Sequence, residues 1–507
     1  MYHAVETDPM LPRSPVKPEG AGSGSVRAMR LEHPTRKCND WFFAVLFVAH
    51  VITIAVFAFW KGIPAVIRHV KDMGDDADST PDGDFSKVYM LGSILVAIAV
   101  GLSAFWMRFL MAYATYMIKV ALWFNVGLLL VFAFTSFSVN PYVPFLFILL
   151  AVVNVCYIYY VRNRIAFASA NLRAASAAIS AHMGVFLVAL AMIVKQILWI
   201  GLWSLSAVGV YQQFMDSDPD CAETGHKTPA PGDISDGWCG GTPAVVTLFF
   251  MLISLYWGQQ VIQNVLTCTT AGVVATWWYQ PHAERATFAS MYRALTTSFG
   301  SICFGSLIVA ILEAMRAMAS LLKEKAAEED NMVLACVACM AECILGCLES
   351  LMEYFNKWAY VYVGVYGYSF RTSGKAVMDL FANRGWTAVI NDDLTGGALT
   401  FGAVGVGCVG AVIGLMMVKF SPDAWFAALS SQESAYGILA GVGFVSGLSM
   451  AMVLANVVIT AVHTVFVCFA EDPIAFSRNH PSEYETLVSA WREFQGDALL
   501  SAYGTAV

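Results

Sequence analysis

Apolar stretches long enough to cross a bilayer recur from Trp41 almost to the end of this 507-residue chain. That recurrence fixes the solvent, and the solvent restricts the fold. A helix crosses the hydrocarbon core with about 20 mostly apolar residues. Inside that core each backbone polar group must be satisfied within its own element, which leaves helices and closed barrels. The stretches here are too long and too continuously apolar for barrel strands, which are short and alternate in polarity. The expected fold is therefore all-α, a polytopic helical membrane protein with about ten transmembrane helices.

The candidate spans are residues 41–60, 88–110, 117–137, 142–161, 184–210, 244–274, 298–319, part of 332–365, 395–418 and 435–469. An even number returns both termini to one side. Arg27, Arg30, Arg36 and Lys37 precede the first span and assign that side to the cytosol, since basic residues concentrate there. Loop charge follows the same alternation. Asp72, Asp75, Asp76, Asp78, Asp82 and Asp84 mark residues 61–87 as external, and the acids of 212–243 do the same. Arg162, Arg164 and Arg173, and later Arg371, Lys375 and Arg384, mark internal turns. Residues 316–330 mix Arg316, Lys323 and Lys325 with four acids and fit either side. Residues 163–181 are Ala/Ser-rich and read as an interfacial amphipathic helix or as an extension of the neighbouring helices.

Only 13% of residues are charged and 58% are hydrophobic, against about 25% charged in soluble domains. No stretch differs enough to form a second, soluble domain. The chain divides into a disordered cytosolic tail (1–40), a membrane domain (41–470) and a cytosolic C-terminal tail (471–507). No apolar signal-peptide core occurs in the first forty residues. The net charge of −8 comes without a basic block, which argues against nucleic acid as a partner.

Of the twelve cysteines, Cys221 and Cys239 share an external polar loop, where an oxidising medium permits a disulfide; the alternative is two free thiols. Cys336, Cys339, Cys343 and Cys347 recur at helical spacing along one stripe. One straight helix cannot converge four ligands tetrahedrally on zinc, so these read as packing or lipid-facing residues, or as S-acylated thiols. There is no Asn-x-Ser/Thr acceptor for N-glycosylation.

Ionisable residues within spans are costly and default to functional candidates. They are Lys195 in the fifth span, Glu313 in the seventh, and Glu342, Glu349 and Glu353 in the eighth region. An ion pair of Lys195 with Glu313 or Glu342 would fix packing; a carboxylate-lined solute path is the other reading. Aromatic residues cluster at Tyr256, Trp257, Trp277, Trp278 and Tyr279, and at Trp358, Tyr360, Tyr362, Tyr366 and Tyr368. Such residues serve as interface anchors or, for a quaternary ammonium, as ring faces. No Walker A sequence, H-E-x-x-H motif or nucleophile elbow occurs, so neither an enzyme nor an ATP-driven pump is expected, and no cofactor is implied. Gly402, Gly405, Gly407, Gly410 and Gly414 lie in an apolar span, where small residues permit close helix packing.

Four blocks carry a family likeness. They are Tyr256-Trp257-Gly258-Gln259-Gln260-Val261-Ile262-Gln263-Asn264-Val265 with Trp277-Trp278-Tyr279; Gly300-Ser301-Ile302-Cys303-Phe304-Gly305-Ser306-Leu307-Ile308; Asn356-Lys357-Trp358-Ala359-Tyr360-Val361; and Val365-Tyr366-Gly367-Tyr368-Ser369-Phe370, running to Asp379-Leu380-Phe381. Together with Glu471-Asp472-Pro473 they resemble the choline transporter-like family, solute carrier family 44. The resemblance covers residues 184–483, with the first four spans similar in general pattern. Two departures stand out. The first external loop is short, and Asn356-Lys357-Trp358-Ala359-Tyr360 replaces the family's frequent Asn-Arg-Asn-Ala-Tyr.

The resemblance implies about ten spans, cytosolic termini, and carriage of choline or a related organic cation; the membrane expected to house it is the plasma membrane, with an internal membrane as the alternative. Block membership combined with cation-compatible chemistry selects Trp257, Gln259, Asn264, Glu313, Tyr360 and Tyr366 as candidate lining residues. The rival classes are a non-transporting scaffold or receptor, a lipid-handling protein, and an ion channel.

Overall fold

A computed structural model describes residues 38–68, 86–136, 143–161, 164–217, 241–328, 331–384, 394–426 and 432–503. The proposed Cys221–Cys239 pair, most of the N-terminal tail and the acidic part of the first loop lie outside the described residues. The described chain is helical, without strands. The helices are α1 (Trp41–Phe57), α2 (Ser86–Ala112), α3 (Ala114–Ser136), α4 (Val143–Val161), α5 (Arg164–Ala181), α6 (Gly184–Ser217), α7 (Gly241–Tyr279), α8 (Ala286–Leu295), α9 (Phe299–Glu328), α10 (Met332–Tyr366), α11 (Phe370–Arg384), α12 (Leu394–Phe420), α13 (Gln432–Glu471), α14 (Pro473–Asn479) and α15 (Pro481–Tyr503).

Among the described residues, nine helices are long and apolar enough to cross a membrane, and counting the pair α4–α5, bent by 71°, as one broken span gives ten. The fold is an all-α polytopic membrane protein. By alternation α7, α10 and α13 run in one direction, so their C-terminal ends share the side on which α1 starts. That side is the inner side.

Two sequence expectations are corrected. Residues 316–328 do not form a loop: they are the last turns of α9, which meets α10 in a long antiparallel hairpin. The charges that suggested a loop pair across it, Arg316 with Glu349 at 2.9 Å and Lys323 with Glu342 at 2.5 Å, so they stay solvated while the helix continues. Alternation puts this hairpin tip on the outer side. Of the two readings of Lys195, the ion pair is not formed, because Glu342 is held by Lys323 and Glu313 accepts from Gln260. Lys195 is exposed on α6.

Glycine sets the close contacts. In the Gly-Ser-x-x-x-Gly-Ser block of α9, each glycine lets a neighbour approach and each serine then bonds it. A Cβ at Gly300 would lie 2.3 Å from the Asp40 carbonyl oxygen, while Ser301 donates to the Asp40 carboxylate at 2.7 Å. A Cβ at Gly305 would lie 2.4 Å from the Phe370 ring and 2.5 Å from the Tyr360 hydroxyl, and Ser306 bonds that hydroxyl at 3.2 Å. Between α12 and α13, Gly410 and Gly443 face one another so closely that a Cβ on either would meet the other's carbonyl oxygen at 2.2 Å.

The inner ends are the most densely packed region. Trp278 is fully buried, stacks on Phe476 at 4.0 Å and donates to the Asp472 carbonyl at 3.1 Å. Asn479 returns a bond to the Trp278 carbonyl at 2.8 Å. Trp491 of α15 is fully buried against Phe167 of α5 and Phe469 of α13. The helices α14 and α15 thus close the inner side of the bundle, and α5 is wedged there too, with Asn171, Ala175, Ala178 and Ile179 fully buried.

Candidate functional site

Polar residues interrupt three otherwise apolar helices at helical spacing, and the fold turns these interruptions toward one another. On α7 they are Gln260, Gln263, Asn264 and Thr267; on α10 Ser350, Glu353, Tyr354, Asn356, Lys357 and Tyr360; on α13 Asn456, Thr460 and His463. With Val309 of α9 and Ile459 they line a cavity of about 500 Å³. A volume of this order suits a small organic ligand. Side chains at i, i+3, i+4 and i+7 share one helix face, which is why three short polar stripes meet.

The cavity tapers inward. Gln263, Ser350 and Glu353 are exposed, whereas Thr267, Tyr360, Thr460 and His463, nearer the C-terminal ends of the same helices, are buried. Beside them Trp358 packs on His463 at 4.6 Å and edge-on to Phe381 at 5.0 Å. The mouth therefore faces the outer side and the floor is sealed.

One wall is held by a chain of hydrogen bonds. Gln260 donates to the Glu313 carboxylate at 2.7 Å. Asn264 donates to Ser306 at 3.0 Å and lies 3.5 Å from the Gln260 side-chain oxygen. Ser306 bonds Tyr360, whose hydroxyl donates to the Ile302 carbonyl at 3.3 Å. With its hydroxyl committed to α9, Tyr360 offers its ring. Near the mouth the carboxylates of Glu313, Glu349 and Glu353 lie within 4.8 Å of one another. Arg316 neutralises part of this charge through Glu349. Lys357 places its Nζ 4.7 Å from the Tyr354 ring centre and 5.3 Å from that of Trp358.

Of the six residues selected from sequence, Asn264 and Tyr360 line the cavity. Glu313 stands behind Gln260, one hydrogen bond away. Trp257 faces α1 and α9: it stacks on His50 at 5.0 Å and donates to the Cys303 carbonyl at 3.0 Å. Gln259 is half-buried and does not line the cavity. Tyr366 sits at the inner end of α10, against Tyr362 at 4.5 Å and Tyr368 at 5.8 Å, where Tyr362 donates to Glu471 at 2.7 Å. The cavity residues that sequence reasoning passed over include Asn456, Thr460 and His463. Their i, i+4, i+7 spacing in a 40-residue apolar helix was the available signal.

The family described as plasma-membrane choline transporter matches residues 145–474. The chain belongs to the choline transporter family. It is 30% identical over 471 residues to Protein PNS1 of Cryptococcus neoformans var. neoformans serotype D, covering 90% of this chain and 82% of that protein. It is 27% identical over 486 residues to Protein PNS1 of Mycosarcoma maydis, covering 94% and 86% respectively. The four cavity-forming helices α7, α9, α10 and α13 fall inside the matched region.

Proposed function

We propose that this member of the choline transporter family carries choline or a related quaternary amine across the plasma membrane by alternating access. The observation that carries this reading is the cavity between α7, α10 and α13, with carboxylate at its mouth, aromatic rings along its wall and polar groups elsewhere. A quaternary ammonium cannot donate hydrogen bonds, so it is held by ring faces and by negative charge, each ring contact contributing roughly 0.5–2 kcal/mol. Tyr354 and Tyr360 supply rings and Glu353 supplies charge. Lys357 occupies the Tyr354 face at 4.7 Å, so an arriving cation must displace it.

The sealed floor favours a carrier over a channel, because a solute in the cavity has no open route inward. Passage requires the inner packing to part and the outer mouth to close. The cavity lies between the closely packed α12–α13 unit and the α7–α9–α10 unit, which makes their relative rocking the natural motion. No coupling ion is required. An inside-negative potential contributes about 2.3 kcal/mol per charge per 100 mV, which is roughly fifty-fold accumulation of a monovalent cation.

The test is uptake of labelled choline by liposomes holding only the purified protein, under an imposed inside-negative potential. A carrier gives saturable uptake, competed by unlabelled quaternary amines. Uptake no greater than in protein-free liposomes would refute the reading, and uptake that never saturates would favour a channel.

A further inference from the structure

A quaternary ammonium centre satisfies rings and carboxylates but leaves any hydrogen-bonding wall group unpaired. The cavity holds one such group in an informative position. Asn356 is 5% exposed and lines the cavity, and its Oδ1 has no hydrogen-bond partner among the described residues. Its polar neighbours on the α9 side are already committed: Gln260 to Glu313, Asn264 to Ser306, and Tyr360 to Ser306 and Ile302. Burying an acceptor without a partner is costly, and a ligand that supplies the partner recovers that cost.

The position of Asn356 selects the ligand chemistry. It lies three residues after Glu353 and four before Tyr360, so both are its neighbours within about one helical turn of 5.4 Å. A cation attracted to the carboxylate or resting on the ring therefore brings a substituent two carbons away to the amide. A hydroxyl suits that amide best because it both donates and accepts, and the broad terminal torsion of asparagine lets the amide turn toward it.

We propose that Asn356 binds the hydroxyl of the substrate, so that the cavity selects hydroxylated quaternary amines over alkyl isosteres of the same size and charge. This rests on the cation-carrier reading above and deepens it. A tetraalkyl ammonium leaves the buried oxygen unpaired; a hydroxyalkyl ammonium satisfies it.

The test compares inhibition of labelled choline uptake by unlabelled choline and by propyltrimethylammonium, in which a methyl group replaces the hydroxyl. Wild-type protein in liposomes is expected to prefer choline by about tenfold, the discrimination expected when one buried acceptor is left unmatched. Asn356→Leu is expected to bring the two inhibition constants together, mainly by weakening choline while propyltrimethylammonium binds at least as well. Equal inhibition of wild type by both amines would overturn the inference and leave the carrier reading intact, as would an unchanged preference in Asn356→Leu. Absence of any uptake by the wild type would instead defeat the carrier reading itself. Should Asn356→Leu fail to fold, the wild-type ratio decides, with Asn356→Ser as the second variant, expected to retain part of the preference.

Discussion

In α13, 78% of the most apolar 18-residue stretch is buried; in α10 the share is 6%. By composition the two helices are much alike. One runs through the sealed inner packing, and the other begins in the outer hairpin, where Val333, Val337, Met340 and Ile344 are exposed. An apolar helix in a membrane protein thus meets either protein or lipid, and apolarity does not distinguish them. What separates the two regions is the belt of polar residues between them, and the cavity lies in that belt. The lower halves of α7, α10 and α13 make a floor, and their upper halves make a mouth.

The largest expected effect breaks the floor. Trp278→Ala removes a fully buried ring together with its bond to Asp472, and is expected to cost about 3–5 kcal/mol, read as a large fall in the thermal unfolding midpoint of the purified protein. Met340→Ala in the outer hairpin, where the side chain is 64% exposed, should change stability by no more than about 0.5 kcal/mol. Comparable losses at both sites would erase the distinction between floor and hairpin.

Next in size is Gly305→Val, which drives a branched side chain into the Phe370 ring and the Tyr360 hydroxyl. Overpacking of this kind costs about 1–3 kcal/mol and should lower choline uptake by displacing the ring on the cavity wall. At the mouth, Glu353→Gln and Lys357→Gln act with opposite signs. Loss of the carboxylate is expected to raise the KM for choline about tenfold, equivalent to 1.4 kcal/mol. Loss of the resident ammonium, which competes for the Tyr354 face, should lower it about threefold, since like charges repel in a confined polar site. The smallest effect is expected for Arg316→Ala, whose ion pair with Glu349 is exposed. Such pairs contribute little, and the unfolding midpoint should not move.

The fold was legible in the sequence because the bilayer admits so few backbone solutions, and the runs beginning at Trp41, Gly184 and Thr395 were long enough to count. The hairpin tip was not legible, because Arg316 and Lys323 read as loop charges until the antiparallel register pairs them with Glu349 and Glu342 of the next helix. For the site, Asn264 and Tyr360 stood out by chemistry and by the blocks they belong to. Tyr366 stood out for the same reasons, yet aromatic density also marks a packed helix end, and Tyr366 lies in such an end. Asn356 was quoted within a block without being selected, because an asparagine gains meaning here only from the unpaired oxygen that the packing leaves. Asn456, Thr460 and His463 were passed over in a helix read mainly for its apolarity.

The cavity is the proposed seat of the cation. The direct measurement is equilibrium binding of labelled choline to the purified protein, compared with Asn456→Trp, which fills the cavity from the α13 side. Saturable binding, displaced by unlabelled choline, is expected, and it is lost in the filled variant while the unfolding transition of that variant remains cooperative. Choline binding of equal affinity in the folded, filled variant would contradict it.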